Sequence, residues 1–295
     1  MFRGADHRHP LVRPAGPRID AGRGVALHRR RRGDGPGGGV ALMDVRDQAA
    51  LVTGAGSGLG EATARALAAA GARVALLDFN LSAAEAVAAD IGGLALACDV
   101  ASAESAEEAV ERAAAAHGAA RILVNCAGVA PARKMLGKGG TMPLDDFRRT
   151  IEVNLIGSFN LLRLFAAGAA GLAPLDTAER GVAINTASIA AWEGQIGQTA
   201  YAASKGGIVG LTLPAARELA PLGIRVCAIA PGIFETAMLK GLPEAAQESL
   251  GAAVPFPSRL GRPAEFAALA LHILTNPMLN GETIRLDGAL RMGPK

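Results

Sequence analysis

The chain has 295 residues, half of them hydrophobic and only 3% aromatic, enough for one large domain with a core of Ala, Val, Leu and Ile. Its formal charge of +3 is uneven: residues 1–42 hold nine Arg and three Asp, a net of +6, which leaves −3 on the remainder. A slightly acidic body gives no reason to expect nucleic acid, and the longest apolar stretch (155–173) is broken by Arg163 and glycines, so no membrane span is expected.

Residues 1–42 are rich in Arg, Gly and Pro and have no usable periodicity, so disorder is expected there. The RRRR run at 29–32 could meet RNA or an acidic surface. A targeting segment should be Ser-rich and poor in acids, whereas this one has no Ser or Thr and three Asp. It reads as a non-functional extension, with Met43 as a possible true start and one domain over 43–295. The three cysteines, Cys98, Cys126 and Cys227, sit in apolar runs and read as free buried thiols in a reducing compartment, the cytoplasm. Neither they nor the five histidines have a metal-ligand spacing.

From Gln48 onward, short apolar runs rich in β-formers alternate with stretches of helical spacing. Seven such runs predict a parallel sheet covered by helices on both faces, a single α/β domain with no repeat array. The first run, AALVTG, leads into TGAGSGLG (53–60) and then a predicted helix, GEATARALAAAG. Gly54, Gly58 and Gly60 allow a sharp turn and close approach to a phosphate, beside the positive end of the helix. The second run ends at Asp78, eighteen residues after Gly60. A carboxylate there accepts from both hydroxyls of an adenosine ribose and repels a 2′-phosphate; no Arg follows it, so NAD is expected rather than NADP. The third run closes on Asp99 and Val100, and Asp99 is placed to hold an adenine amino group. After the predicted helix SAEEAVERAAAAHG, the fourth run closes on Asn125, Cys126, Ala127 and Gly128, small residues against which a cofactor can lie. Open α/β sheets bind ligands at such strand C-termini.

Residues 131–147 are predicted as a long loop carrying Arg133, Lys134 and Lys138, cations that could meet the phosphates of a CoA ester. The fifth run ends at Ser188. Thirteen residues later comes Tyr201, the chain's single tyrosine, four residues before Lys205, one of only five lysines. Tyr and Lys at that spacing share a helix face. A phenol near pKa 10 is a poor base at neutral pH, and a neighbouring ammonium should lower it, making Tyr201 an acid/base for an alcohol or ketone that Ser188 positions. A hydrolase reading of Ser188 lacks a Gly-x-Ser-x-Gly setting.

TGAGSGLG, NCAG, Asn154 in EVNLIGSFN, Ser188 and YAASK together resemble the short-chain dehydrogenase/reductase family, over roughly residues 46–290. The resemblance implies a seven-stranded Rossmann sheet. It implies Tyr201 as acid/base, Lys205 as its pKa modulator and nicotinamide-ribose ligand, Ser188 as substrate positioner and Asn154 as holder of a relay water. It also implies Pro231 and Gly232 beside the nicotinamide and Thr236 near its carboxamide. The last third looks like the type-2 3-hydroxyacyl-CoA dehydrogenases, a subgroup that also oxidises some hydroxysteroids. That likeness implies NAD contacts at Ser57, Leu59, Asp78, Asp99, Val100, Cys126, Tyr201, Lys205 and Phe234. It puts Gln195 and Gln198 by the substrate pocket and implies a homotetramer. Trp192 and Glu235 depart from the subgroup and are expected to reshape the pocket. Two alternatives stand beside this reading. One is another oxidoreductase of the same fold, such as a 3-oxoacyl-carrier-protein reductase or a hydroxysteroid dehydrogenase. The other is an NAD-binding scaffold or partner subunit whose basic tail contacts RNA.

Overall fold

A computed structural model describes residues 42–236 and 244–294. The expected disordered extension therefore lies, except for Leu42, outside the described residues. All seven expected strands are present: β1 (Ala49–Thr53), β2 (Arg73–Asp78), β3 (Leu94–Ala97), β4 (Ile122–Asn125), β7 (Gly181–Thr186), β8 (Ile224–Pro231) and β9 (Thr283–Leu286). They form one parallel sheet in the order β3-β2-β1-β4-β7-β8-β9. The order reverses between β1 and β4, which opens a crevice at their C-terminal ends. The region after β4 differs from the predicted loop 131–147: it contains a small antiparallel hairpin, β5 (Leu136–Gly137) and β6 (Gly140–Thr141), and a helix already begins at Leu144. Strands this short leave no periodic signal.

Helices cover both faces. On one side lie α1 (Gly58–Ala69), α2 (Leu81–Ile91) and α9 (Pro263–Thr275), meeting Val52, Leu76, Val124, Ile184 and Ile229. The core on this side already includes Met43 and Val45. On the other lie α3 (Ala103–His117), α5 (Gly157–Ala170) and α7 (Thr199–Leu219), meeting Leu51, Leu77, Leu123 and Val226. Successive strand residues alternate between these two cores, so both pleat faces must be apolar. That is why the strands read as unbroken hydrophobic runs in a chain with few aromatics. The helix over Leu144–Ala170 is long and apolar enough to cross a membrane, yet more than half of its most apolar window is buried in the fold. Its first part is α4 (Leu144–Ile151), and a π-helical turn, Glu152–Ile156, joins it to α5. Short helices α6 (Ala190–Glu193) and α8 (Glu244–Ala252) border the crevice region.

Arg225 of β8 ties the far end of the sheet to α9. It is buried, pairs with buried Glu179, and donates to the carbonyls of Ile273 (2.9 Å), Leu274 (2.9 Å) and Leu279 (2.7 Å). One guanidinium thus satisfies two carbonyls in the last turn of α9, those of Ile273 and Leu274, which have no partner within the helix, and a third in the segment that follows. Replacing Arg225 with Met should cost about 3–5 kcal/mol, because Glu179 becomes an unpaired buried carboxylate and the carbonyls lose their donor. Urea denaturation measures this, and a loss below about 1 kcal/mol would contradict it.

Candidate active site

The C-terminal strand ends border a cleft of about 770 Å³, well inside the range of small-molecule pockets. Its first wall is the β1–α1 turn. Gly54 has φ +63° and an added Cβ would stand 2.8 Å from the Ala127 nitrogen; a Cβ on Gly60 would stand 2.1 Å from the Gly54 carbonyl oxygen. The turn closes only because both are glycine. Ser57 precedes α1 without a side-chain cap bond, so the first-turn N–H groups remain for a ligand. Ser57, Gly58, Leu59 and Gly60 all face the cleft. This is a cradle for a pyrophosphate, and it fits a dinucleotide.

Asp78, at the end of β2, faces the same cleft. Its carboxylate accepts from the Gly56 N–H at 2.9 Å and the Asn80 N–H at 2.8 Å. Two backbone donors aim it without neutralising it. Asp99 and Val100 line the cleft beyond β3, as do Cys126, Ala127 and Gly128 beyond β4. Burial pushes the Cys98 thiol up to about 12 and the Cys126 thiol up to about 11, so neither is a thiolate nucleophile. Pro231, Gly232, Phe234 and Thr236 line the far side beyond β8.

Asn125 is a correction. It was expected to touch the cofactor, but it does not line the cleft. Its Nδ2 donates to Asn185 Oδ1 (2.9 Å) and the Ser158 carbonyl (3.0 Å), locking β4 to β7 and to α5. Asn125 shares a pleat face with Leu123, the face that α5 covers, and that parity could have signalled its direction. Thr53, which sequence reasoning did not single out, holds the turn instead. Its hydroxyl accepts from the N–H groups of Cys126 (3.0 Å) and Ala127 (3.1 Å).

Ser188, Tyr201 and Lys205 meet along one part of the cleft. Ser188 follows β7 and accepts from the Ala190 N–H at 3.1 Å. Lys205 is only 4% exposed, and its Nζ donates to the Thr186 carbonyl at 2.7 Å. Nζ lies 5.8 Å from the Tyr201 ring centroid. Burial holds the ammonium down to about 8. Burial also pushes the Tyr201 phenol above its ordinary value, and the adjacent Ser188 hydroxyl alone opposes this. The expected lowering of Tyr201 by Lys205 is therefore not seen in the protein alone, where burial of the phenol dominates.

Asn154 sits in the π-helical turn, fully buried, and is absent from the cleft wall. Its Oδ1 accepts from the Val129 N–H (2.8 Å), and its Nδ2 donates to the Val129 carbonyl and to Ser204 Oγ, both at 2.9 Å. The side chain implied to hold a relay water commits both Nδ2 hydrogens to protein partners. It pins the strand end beside Gly128 to the helix that carries Lys205. Gln195 and Gln198 reach the cleft from the turn after α6, where the Gln195 N–H donates to Gln198 Oε1 at 2.9 Å. Trp192 and Glu235, expected to reshape the pocket, do not line it; Trp192 stacks on Arg285, 5.5 Å away, outside the cleft.

The depressed Lys205 value fixes a pH dependence. Below about pH 8 Lys205 is charged in both states and the folded state carries the full cost of burying it. Between about 8 and the ordinary 10.4 the unfolded chain binds more protons, so stability rises with pH. Relative to Lys205→Met, the wild type should gain about 3 kcal/mol across that window. Thermal melts of both proteins through the window test this, and a flat difference would contradict it.

Comparison with known proteins follows the same lines. The short chain dehydrogenase family profile matches residues 48–247. The chain is 51% identical over 259 residues to the Homo sapiens 3-hydroxyacyl-CoA dehydrogenase type-2, covering 86% of this chain and 99% of that one. The Drosophila melanogaster protein of the same name is 47% identical over 254 residues, covering 85% and 100%. The crystal structure of 3-hydroxyacyl-CoA dehydrogenase type-2 from Mycobacterium avium matches with a TM-score of 0.80 at 42% identity, over 84% of this chain and 98% of that one. With Tyr201, Lys205 and Ser188 gathered in a cleft at the strand ends of a parallel sheet whose first turn fits a dinucleotide, the chain belongs to the short chain dehydrogenase family and is a dehydrogenase working with a nicotinamide cofactor.

Proposed function

We propose that the protein is NAD-dependent and interconverts an L-3-hydroxyacyl-CoA with the 3-oxoacyl-CoA. The observation that carries this reading is the pairing, in one cleft, of Asp78 at one strand end with Ser188, Tyr201 and Lys205 at another. Asp78 would hold the adenosine ribose hydroxyls of NAD and repel the 2′-phosphate of NADP. When bound, the nicotinamide ring supplies or accepts the hydride.

The chain's own groups handle the proton. Ser188 donates to the substrate oxygen and fixes its position. Tyr201, protonated at neutral pH, gives its proton to that oxygen as the ketone is reduced and takes it back during oxidation. Lys205 places a positive charge beside the ring and so stabilises the phenolate that forms. Asn154 keeps Val129 and Ser204 in register with this set.

The acyl-CoA assignment draws on the names of the relatives and on the hairpin after β4. The Arg133 N–H donates to the Gly197 carbonyl at 2.8 Å, fastening the hairpin's base to the turn that holds Gln195 and Gln198. Arg133 itself pairs with Asp146. Lys134 and Lys138 are exposed and form no ion pair among the described residues, which leaves them for CoA phosphates. We place the protein in the cytoplasm, where its three free cysteines stay reduced. We also propose a homotetramer built on the exposed apolar residues Ile156 and Phe159 of the long helix and Leu213 of α7.

The test is NADH oxidation with acetoacetyl-CoA, run beside NADPH and a steroid ketone. Turnover with NADH should exceed that with NADPH by at least about a hundredfold, and acetoacetyl-CoA should be the better ketone. An inert acetoacetyl-CoA would end the acyl-CoA reading, and a preference for NADPH would end the role given to Asp78.

A further inference from the structure

Ile189, next to Ser188, lines the cleft together with the apolar residues Ile233, Leu250 and Met292, and Ile233 and Met292 pack in one cluster with Ile189. Met292 lies ninety-one residues beyond Tyr201, in a segment that follows β9 and belongs to no helix or strand. That segment is held in place by the turn carrying the substrate glutamines. The Met292 N–H donates to Glu193 Oε2 at 3.0 Å. The Gly293 carbonyl accepts from Gln195 Nε2 at 3.2 Å, and the Pro294 carbonyl accepts from the Ile196 N–H at 3.0 Å.

Glu193 is the post to which this strap is fastened. Its side chain is 18% exposed and does not line the cleft. It accepts from Arg285 at 2.8 Å and lies 3.4 Å from Arg291. Arg285 in turn reaches Asp287 at 2.7 Å and the Leu290 carbonyl at 3.1 Å, so both ends of the strap meet one ion-pair network. These arginines hold the Glu193 carboxyl below its usual range. Beneath the strap, Leu290 is buried against Ile189 and Val254, with Ile233 and Met292 packed on them. The network serves no proton transfer. What it does is fix where one flexible apolar side chain stands in the pocket.

We propose that Met292 is a specificity-determining residue that sets how long an acyl chain the pocket accepts, and that Glu193 positions it by pinning the strap. This rests on the acyl-CoA reading above. An acyl tail offers no hydrogen-bonding group, so chain length is distinguished by volume alone, at roughly 10–200-fold per methylene in an apolar pocket. A thioether side chain fills irregular apolar space but has many rotamers, so it sets a limit only if its backbone is held. The Glu193 carboxylate supplies that hold.

The experiment compares kcat/KM for 3-oxooctanoyl-CoA and acetoacetyl-CoA in the wild type, Met292→Ala, Met292→Phe and Glu193→Ala, with NADH affinity measured by fluorescence titration. Met292→Ala should raise the octanoyl-to-acetoacetyl ratio about tenfold and Met292→Phe should lower it, with NADH affinity unchanged. Glu193→Ala should move the ratio as Met292→Ala does, through KM rather than kcat; a purely structural role would lower activity on both esters alike. Ratios that stay at the wild-type value in both Met292 variants, in a protein whose wild type reduces acetoacetyl-CoA, would overturn the inference alone. A wild type inert toward every ester would overturn the acyl-CoA reading and this inference with it.

Discussion

The buried ammonium of Lys205 is the constraint on which the site depends. A charge taken out of water needs a close partner, and Lys205 finds one in the Thr186 carbonyl at 2.7 Å. That contact requires β7 to end and α7 to begin at fixed places relative to each other. On another side of the same helix, Gly207 packs against Leu155 of the π-helical turn, where a Cβ would stand 2.6 Å from Leu155 Cδ2. The Asn154–Ser204 hydrogen bond then sets α7 against the π-helical turn. The resulting arrangement is unfavourable for stability at neutral pH, and that strain is the counterpart of a charge held ready beside Tyr201.

The cofactor half is organised differently, by backbone and small residues rather than by charge. Thr53, Asn125 and Asn185 occupy matched positions on β1, β4 and β7. Their hydrogen bonds make a polar rung across three strands, just before the strands open into the cleft. Above the rung the chain is Gly or Ala after β1 and Cys, Ala and Gly after β4, so no large side chain intrudes there. Asp78 is the acidic side chain that β2 points into this half, and its two backbone donors fix its direction. Asp78 thus comes from the end of a strand, and Tyr201 and Lys205 come from a helix packed on the same sheet.

Much of this was legible in the sequence because burial on both faces leaves a simple record. Seven apolar runs became seven strands, and the Gly54–Gly60 turn, Asp78, Ser188, Tyr201 and Lys205 all face one cleft. What the sequence hides is direction and distance. Asn125 looked like a cofactor residue because it ends a strand, yet the pleat turns it toward α5. Arg133 pairs with Asp146, thirteen residues on, a contact that its place in a basic loop does not announce. Met292 and Glu193 meet across ninety-nine residues of chain, a contact that no local pattern encodes. The burial that raises Tyr201 is hidden for the same reason, since it depends on the fold around the ring.

The most direct test of the account is Tyr201→Phe, assayed for turnover and, separately, for NADH binding. Removing one hydroxyl should abolish proton transfer, a loss of at least about a thousandfold in kcat, while NADH affinity stays near the wild-type value. Turnover that survives in this variant would contradict the central claim that Tyr201 is the acid/base of the site.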